Sequence, residues 1–86
     1  MKLRATIKKE TEKALLLEVF ASYKNKGTSV DLWMPKSQVK QENENSFEIA
    51  EWFLKSKKEE LASRVQGLAK RVKFVSEVVN NKPIWI

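Results

Sequence analysis

The chain of 86 residues carries a net charge of +6, from 17 basic and 11 acidic side chains, and contains neither cysteine nor histidine. This length predicts one domain with a small core, and the missing residue types exclude disulfides, the usual zinc ligands, a thiolate nucleophile and an imidazole base. We therefore predict no enzyme, cofactor or metal site. No apolar run approaches the roughly 20 residues that cross a bilayer, and the first residues lack an apolar signal segment, so a cytoplasmic protein without membrane contact is expected.

The charge is unevenly distributed along the chain. Residues 1–30 carry seven basic and three acidic side chains, residues 31–54 two and five, and residues 55–86 eight and three. The order is therefore basic, acidic, basic. A cationic surface attracts polyphosphate by releasing counterions, although a net charge of this size is also ordinary for a small soluble domain.

The N-terminal part of the chain shows the two-residue period of β-strands. Apolar and mostly basic residues alternate over residues 2–8, which predicts a strand with one dry and one wet face. Residues 14–23 are mostly apolar, and residues 28–34 resume a strand pattern after a turn at residues 24–27. These segments predict a three-stranded antiparallel meander, in which the second and third strands carry apolar residues on both faces.

A polar segment follows Pro35, which lacks an amide donor and ends the third strand. Residues 36–45 predict a loop with an exposed tip at residues 41–45. Residues 46–50 alternate again and predict a short fourth strand.

The period changes to that of a helix after Glu51. Apolar residues recur at helical intervals of three, four or seven: Leu54, Leu61, Val65, Leu68, Val72, Val75 and Val79. Glu51 suits a first turn, while Ser56 and Glu59 match a capping box that would start the helix later. We predict that the helix ends near Arg71.

The C-terminal residues return to strand and turn signals. Residues 72–79 are rich in β-branched side chains and predict a strand, with further helix as the alternative. Residues 80–83 predict a turn, and residues 84–86 form an apolar terminus that should dock on the domain.

These elements predict a single α+β domain over residues 1–86, an antiparallel sheet of four or five strands with one main helix in the C-terminal half. The strand order resembles that of small barrels of the oligonucleotide-binding type, which the sheet would form if it closed. Phage single-stranded-DNA-binding proteins often take that fold, so the resemblance implies a binding protein for single strands.

A second resemblance rests on a local pattern. Residues 33–38 read W-x-P-K-S-Q, and Glu51, Trp52 and Phe53 read E-W-(F/L). This arrangement is similar to one found in small uncharacterised phage and bacterial proteins, and it covers about residues 14–56. The pattern implies little about function, and this chain departs from it by some thirty further residues.

Proteins that bind single strands combine aromatic faces for base stacking with cations for phosphates. Trp33 beside Lys36, with Phe20 on the adjoining hairpin, would supply both. The predicted nucleic-acid-binding residues all lie on the first three strands or next to them: Arg4, Lys8, Phe20, Tyr23, Lys24, Lys26, Trp33 and Lys36. We therefore predict binding of single-stranded DNA or RNA with little sequence preference. The alternative for Trp33 is a core position, which is common for tryptophan in small domains.

Two other functions remain open from the sequence. Leu54, Leu61, Leu68 and Val75 recur at intervals of seven and would form a seam between two copies in a homodimer, unless this stripe covers the sheet. In a phage-type inhibitor of a nucleic-acid enzyme, the contact surface would instead be the acidic middle of the chain: Glu42, Glu44, Glu48 and Glu51.

Overall fold

The computed structural model describes residues 1–23, 26–64 and 72–86. In chain order the elements are β1 (Lys2–Glu10), β2 (Ala14–Tyr23), β3 (Lys26–Pro35), a 3-10 turn (Lys36–Gln38), β4 (Val39–Asn43), β5 (Ser46–Ile49), α1 (Glu51–Arg64), β6 (Lys73–Val79) and β7 (Lys82–Trp85). The fold is α+β, with one helix in the described residues and a curled antiparallel sheet.

The sheet is branched, because β1 pairs with different strands along its length and β2 pairs with three strands. The first residues of β1 pair with β5, and from Ala5 onward β1 pairs with β2. β2 pairs with β3 along its whole other edge, and β6 joins the end of β2 at Ala21 and Ser22. The Ser76 hydroxyl donates a hydrogen bond to the Lys2 carbonyl, which ties β6 to the start of β1.

The core lies inside the curl, between the sheet and α1. In β1, β2 and the second half of β3 every second residue points inward, as the alternating pattern predicted. The side chains that are almost wholly buried come from five strands and the helix: Leu3, Leu17, Val19, Leu32, Met34, Phe47, Ile49, Leu54 and Phe74. The helix covers the concave side of the sheet. Its apolar stripe therefore packs on the sheet, which was the alternative to a dimer seam.

The prediction of four or five strands is wrong, because the described residues form seven. β4 lies where the sequence predicted a loop, and nearly all of its side chains are exposed, so no apolar alternation marks it. It becomes a strand by pairing with β5 around a turn in which the Asn45 amide donates to the Asn43 side-chain oxygen. β7 is a short strand that contains Pro83. Because proline is rare inside strands, this part of the chain was predicted as a turn.

The C-terminal hairpin confirms the other predictions for that region. β6 covers the predicted strand at residues 72–79, and the turn that follows has positive φ at both Asn80 and Asn81. Two such residues are the requirement of a type I′ turn, and asparagine tolerates this conformation better than most residues. The apolar terminus docks, because Ile86 and Phe74 exchange both backbone hydrogen bonds.

The helix begins at Glu51, so the start at Ser56 is wrong. Trp52 is exposed, while Phe53 packs against the core. The predicted helix end near Arg71 lies outside the described residues, as does Leu68.

The prediction of an exposed helical seam between two copies is also wrong. Leu54 and Leu61 are buried against the sheet, and Val75 belongs to β6. The apolar residues at seven-residue intervals therefore do not lie on one helix. They continue from α1 into β6, a strand that contributes to the same core. No helix among the described residues is both long and apolar enough to cross a membrane.

Lys58 on α1 provides a test of how the helix packs. Its ammonium lies 6.0 Å from the centre of the Phe74 ring, and burial, together with the nearby charge of Lys73, lowers the pKa of Lys58 below its ordinary value of 10.5. Lys58→Met should therefore stabilise the fold at neutral pH by ~0.5 kcal/mol or less, because solvent screens the partly exposed charge and the cation–π contact is lost.

The pH dependence has a defined sign. With the folded-state pKa below the unfolded-state value, the unfavourable contribution of Lys58 is present at neutral pH and disappears as pH rises from the folded-state pKa towards 10.5. Urea unfolding at neutral pH and near the ordinary lysine pKa should show the difference between the two proteins narrowing. A Lys58→Met variant that is less stable at neutral pH would contradict this account of the packing.

Candidate nucleic-acid interface

The convex side of the β1–β2–β3 sheet faces away from the core. We call it the outer face, and it consists of Arg4, Thr6 and Lys8 of β1, Leu16, Glu18 and Phe20 of β2, and Ser29, Asp31 and Trp33 of β3. The strand register brings these residues together, with Leu16 opposite Trp33 and Phe20 opposite Ser29. Four of the predicted binding residues, from three different strands, thus share one surface.

Two large aromatic side chains are exposed on the outer face. Phe20 is 45% and Trp33 is 43% exposed, so the interpretation of Trp33 as a core residue is wrong. The Phe20 ring lies over Gly27 of the neighbouring strand, and its centre is 6.1 Å from the centre of the Trp85 ring at an angle of 38°. Phe20 therefore lies between β3 and the C-terminal strand and contacts both.

A groove of about 320 Å³ runs between the outer face and the β6–β7 hairpin. Its walls include Arg4, Phe20, Val78 and Pro83. The hairpin register shifts between Val75 and Glu77, and Val75 and Val78 both line the groove. The groove is thus of mixed polarity: its aromatic and aliphatic walls also carry the Arg4 guanidinium group, the Glu18 carboxylate and the hydroxyl groups of Thr6 and Ser29.

A second depression, of about 210 Å³, adjoins the first. Arg4 and Val78 line both of them. The other residues around the second depression are mostly polar: Lys2, Asn43, Asn45, Ser46, Ser76 and Glu77. The two depressions form one track across the sheet, of mixed polarity at one end and almost wholly polar at the other, with Arg4 where they meet.

Two lysines of the predicted site, Lys8 and Lys36, form ion pairs with carboxylates. The Lys8 ammonium lies 3.3 Å from an Asp31 oxygen and 3.6 Å from a Glu18 oxygen. The hydrogen bond and charge of Asp31, together with the charge of Glu18, raise the pKa of Lys8. The Lys36 ammonium lies 2.6 Å from a Glu10 oxygen. These two positive charges are locally balanced, which weakens their attraction for phosphate.

Arg4 differs from these lysines. No carboxylate of residues 1–23, 26–64 and 72–86 forms an ion pair with it. An exposed guanidinium group offers up to five donors in a planar fork that matches the oxygens of a phosphate.

The remaining predicted residues lie at the β2–β3 hairpin. Lys24 is outside the described residues. For Tyr23 and Lys26 the backbone alone is described, and these two residues pair with each other. Val78, Pro83 and Trp85 were not predicted as site residues, although the apolar terminus at residues 84–86 was a signal that this segment covers another part of the domain.

No arrangement of three or more carboxylates within the described residues would hold a metal ion. The chain was compared with protein-family models, with curated proteins and with solved structures, and nothing matched. The function must therefore be inferred from the residues themselves.

The contact between Phe20 and Gly27 gives a prediction about the position of the ring. A Cβ atom on residue 27 would lie 2.6 Å from two carbons of Phe20, so Gly27→Ala should push the ring away from β3 and change its contact with Trp85. Because the ring is exposed and can rotate, the free energy of unfolding should change by no more than about 1 kcal/mol. Near-UV circular dichroism should report the altered surroundings of Trp85.

The control uses the Phe20→Ala background, in which the clash is absent. There Gly27→Ala should be neutral or stabilising by up to about 1 kcal/mol, since alanine restricts the unfolded chain more than glycine does. If Gly27→Ala has the same effect in both backgrounds, the ring contact is not its cause.

Proposed function

We propose that this chain binds single-stranded nucleic acid along the outer face with little sequence preference. Phe20 and Trp33 stack on bases, and Arg4 contacts the phosphate backbone. The observation that carries the proposal is the presence of two exposed aromatic rings and an arginine outside any described ion pair on one face of a sheet. Each stacked base contributes about 1–3 kcal/mol, and stacking is tolerant of sequence because every base has a π-face.

The shape of the groove supports the same proposal. A strand of nucleic acid carries flat bases and charged phosphates side by side, and the track places the Phe20 ring beside the Arg4 guanidinium group and the asparagines. Lys2 adds less, because its ammonium pairs with Glu77, and Glu18 also lines the track. The overall charge of +6 adds a long-range attraction for polyphosphate. Lys8 and Lys36, with their carboxylate partners, take a smaller part than the sequence suggested.

The fold agrees with this proposal by analogy. Folds of the oligonucleotide-binding type, which the strand order of this sequence resembles, also consist of a small curled antiparallel sheet with one helix. Because one fold hosts many functions, this analogy adds less than the residues of the outer face do.

A charge-matched pair of variants tests the part assigned to Arg4. Arg4→Gln should reduce the affinity for a labelled single-stranded oligonucleotide and lower the slope of log affinity against log salt by ~0.7, the value for one phosphate contact on a single strand. Lys55→Gln removes the same charge from the exposed side of α1, on the other side of the core, and should leave the slope unchanged. Equal slopes for the two variants would exclude Arg4 as a phosphate ligand.

A protein-interaction module is the second candidate function. The β6–β7 hairpin exposes Val78, Val79 and Ile84, which are apolar side chains that a protein partner would cover. Such a module would show no saturable binding of oligonucleotide at any salt concentration, so the same titration separates the two functions.

A further inference from the structure

The longest open edge of the sheet belongs to β3. This strand has ten residues, and within the described part of the chain its one partner is β2. The register with β2 is unbroken from Ala14 opposite Pro35 to Tyr23 opposite Lys26. The free edge therefore presents a long regular row of backbone donors and acceptors, which is a template for another strand.

The two strands at the ends of the described sheet, β4 and β7, are protected by comparison. β4 has five residues and an irregular register between Gln41 and Asn43. β7 has four residues and contains Pro83, which has no amide hydrogen to donate. In β3 the one proline stands at the last position. Short strands, irregularities and prolines are the features by which proteins block edge pairing, and β3 has none of them along its middle.

We propose that β3 pairs with β3 of a second copy, antiparallel, to form a homodimer with one continuous sheet. A twofold axis perpendicular to the sheet keeps both cores on one side and both outer faces on the other. Directly opposite residues must then point to the same face of the sheet. The axis therefore lies midway between one residue and the same residue of the second copy. This restricts the register to a few choices.

The side chains favour the axis at Val30. In that register Ser29 lies opposite Asp31 of the second copy, so a hydroxyl donor meets a carboxylate, and Gly27 lies opposite Trp33 of the second copy. Moving the axis to Asp31 would place two carboxylates directly opposite each other, which is unfavourable. Moving it to Ser29 would shorten the paired segment. The sequence of β3 is therefore self-complementary in one register.

This dimer would also complete the aromatic surface. Phe20 lies over Gly27, and Trp33 of the second copy would stand directly opposite Gly27, beside the Phe20 ring. The two outer faces would join into one surface with the aromatic rings of both copies alternating across it. The dimer itself does not rest on the proposed function, because its evidence is the edge and the register.

Single cysteines report the register directly, since the chain has none of its own. Val30→Cys should form an interchain disulfide under mild oxidation, because directly opposite residues bring their Cα atoms to about 4.5–5.5 Å, within disulfide range. Asp31→Cys and Ser29→Cys should not, because their copies would be more than about 7 Å apart. Sedimentation velocity of the unmodified protein should show a dimer mass at high concentration.

Two substitutions of opposite charge at position 29 test the dimer without cysteine. Ser29→Asp would face Asp31 of the second copy and should weaken the dimer about tenfold, whereas Ser29→Lys should strengthen it by a similar factor. Both changes are at an exposed position, so the fold should survive them. A monomer at all concentrations, a disulfide formed through position 29 or 31 instead of 30, or equal effects of the two charges would each overturn the proposal.

Discussion

Phe47→Ala should lower the free energy of unfolding by about 3–5 kcal/mol, the range for removing a buried phenylalanine ring. Phe47 is fully buried in β5 and lies directly opposite Leu3, at the place where β1 passes from one partner strand to the other. A domain of this size has about 4–13 kcal/mol of stability in total. The substitution should therefore remove about a quarter of the stability or more, and the urea midpoint should fall by roughly 3 M or unfolding should occur without urea.

Phe20→Ala is the matched control, because it makes the same chemical change on the outer face. The ring of Phe20 is about half exposed, so its loss should cost about 1 kcal/mol, mostly from the contact with Trp85. Equal shifts of the urea midpoint for the two variants would mean that the division between core and outer face is wrong.

Phe20→Ala and Trp33→Ala should each weaken binding of a single-stranded oligonucleotide by about 1–3 kcal/mol, which is roughly a factor of 5 to 150. The loss should be similar at all salt concentrations, because stacking releases no counterions, and this distinguishes it from the loss of a phosphate contact. Fluorescence anisotropy with a labelled oligonucleotide at several salt concentrations measures both quantities. Circular dichroism should show that both variants stay folded.

Trp52→Ala is the control for this prediction. Trp52 is the more exposed tryptophan, at 64%, but it lies on α1, away from the outer face. Its replacement should leave the affinity unchanged. If Trp52→Ala weakens binding as much as Trp33→Ala does, the binding surface has been placed on the wrong side of the domain.

The sequence was a good guide to elements that have one buried and one exposed face. The alternation in β1, β2 and β3 follows directly from the burial of every second side chain, and the paired asparagines marked the turn before β7. β4 escaped prediction because it gains its strand conformation from β5 and buries almost nothing itself. The apolar interval of seven misled because it crosses from one element into another: Leu61 of α1 belongs to the core, whereas Val75 of β6 lines the groove.

The candidate site was harder to predict than the fold. The exposed aromatic residues could be named from the sequence, because apolar residues stood on both faces of β2 and β3. The ion pairs of the lysines could not be predicted from the sequence. The pairing of Lys8 with Asp31 joins β1 to β3 across β2 and depends on the register of all three strands. The role of Arg4 could not be predicted either, because it depends on the position of the β6–β7 hairpin, which no local pattern specifies.

The most direct test of the proposed function is a titration of the unmodified protein into a labelled single-stranded oligonucleotide of mixed sequence, at low and at moderate salt. The account predicts saturable binding that weakens as salt rises, is weaker for a duplex of the same sequence, and varies little when the base sequence is changed. An anisotropy that does not saturate at low salt, or an affinity that is the same for duplex and single strand, would contradict the assignment of the outer face to single-stranded nucleic acid.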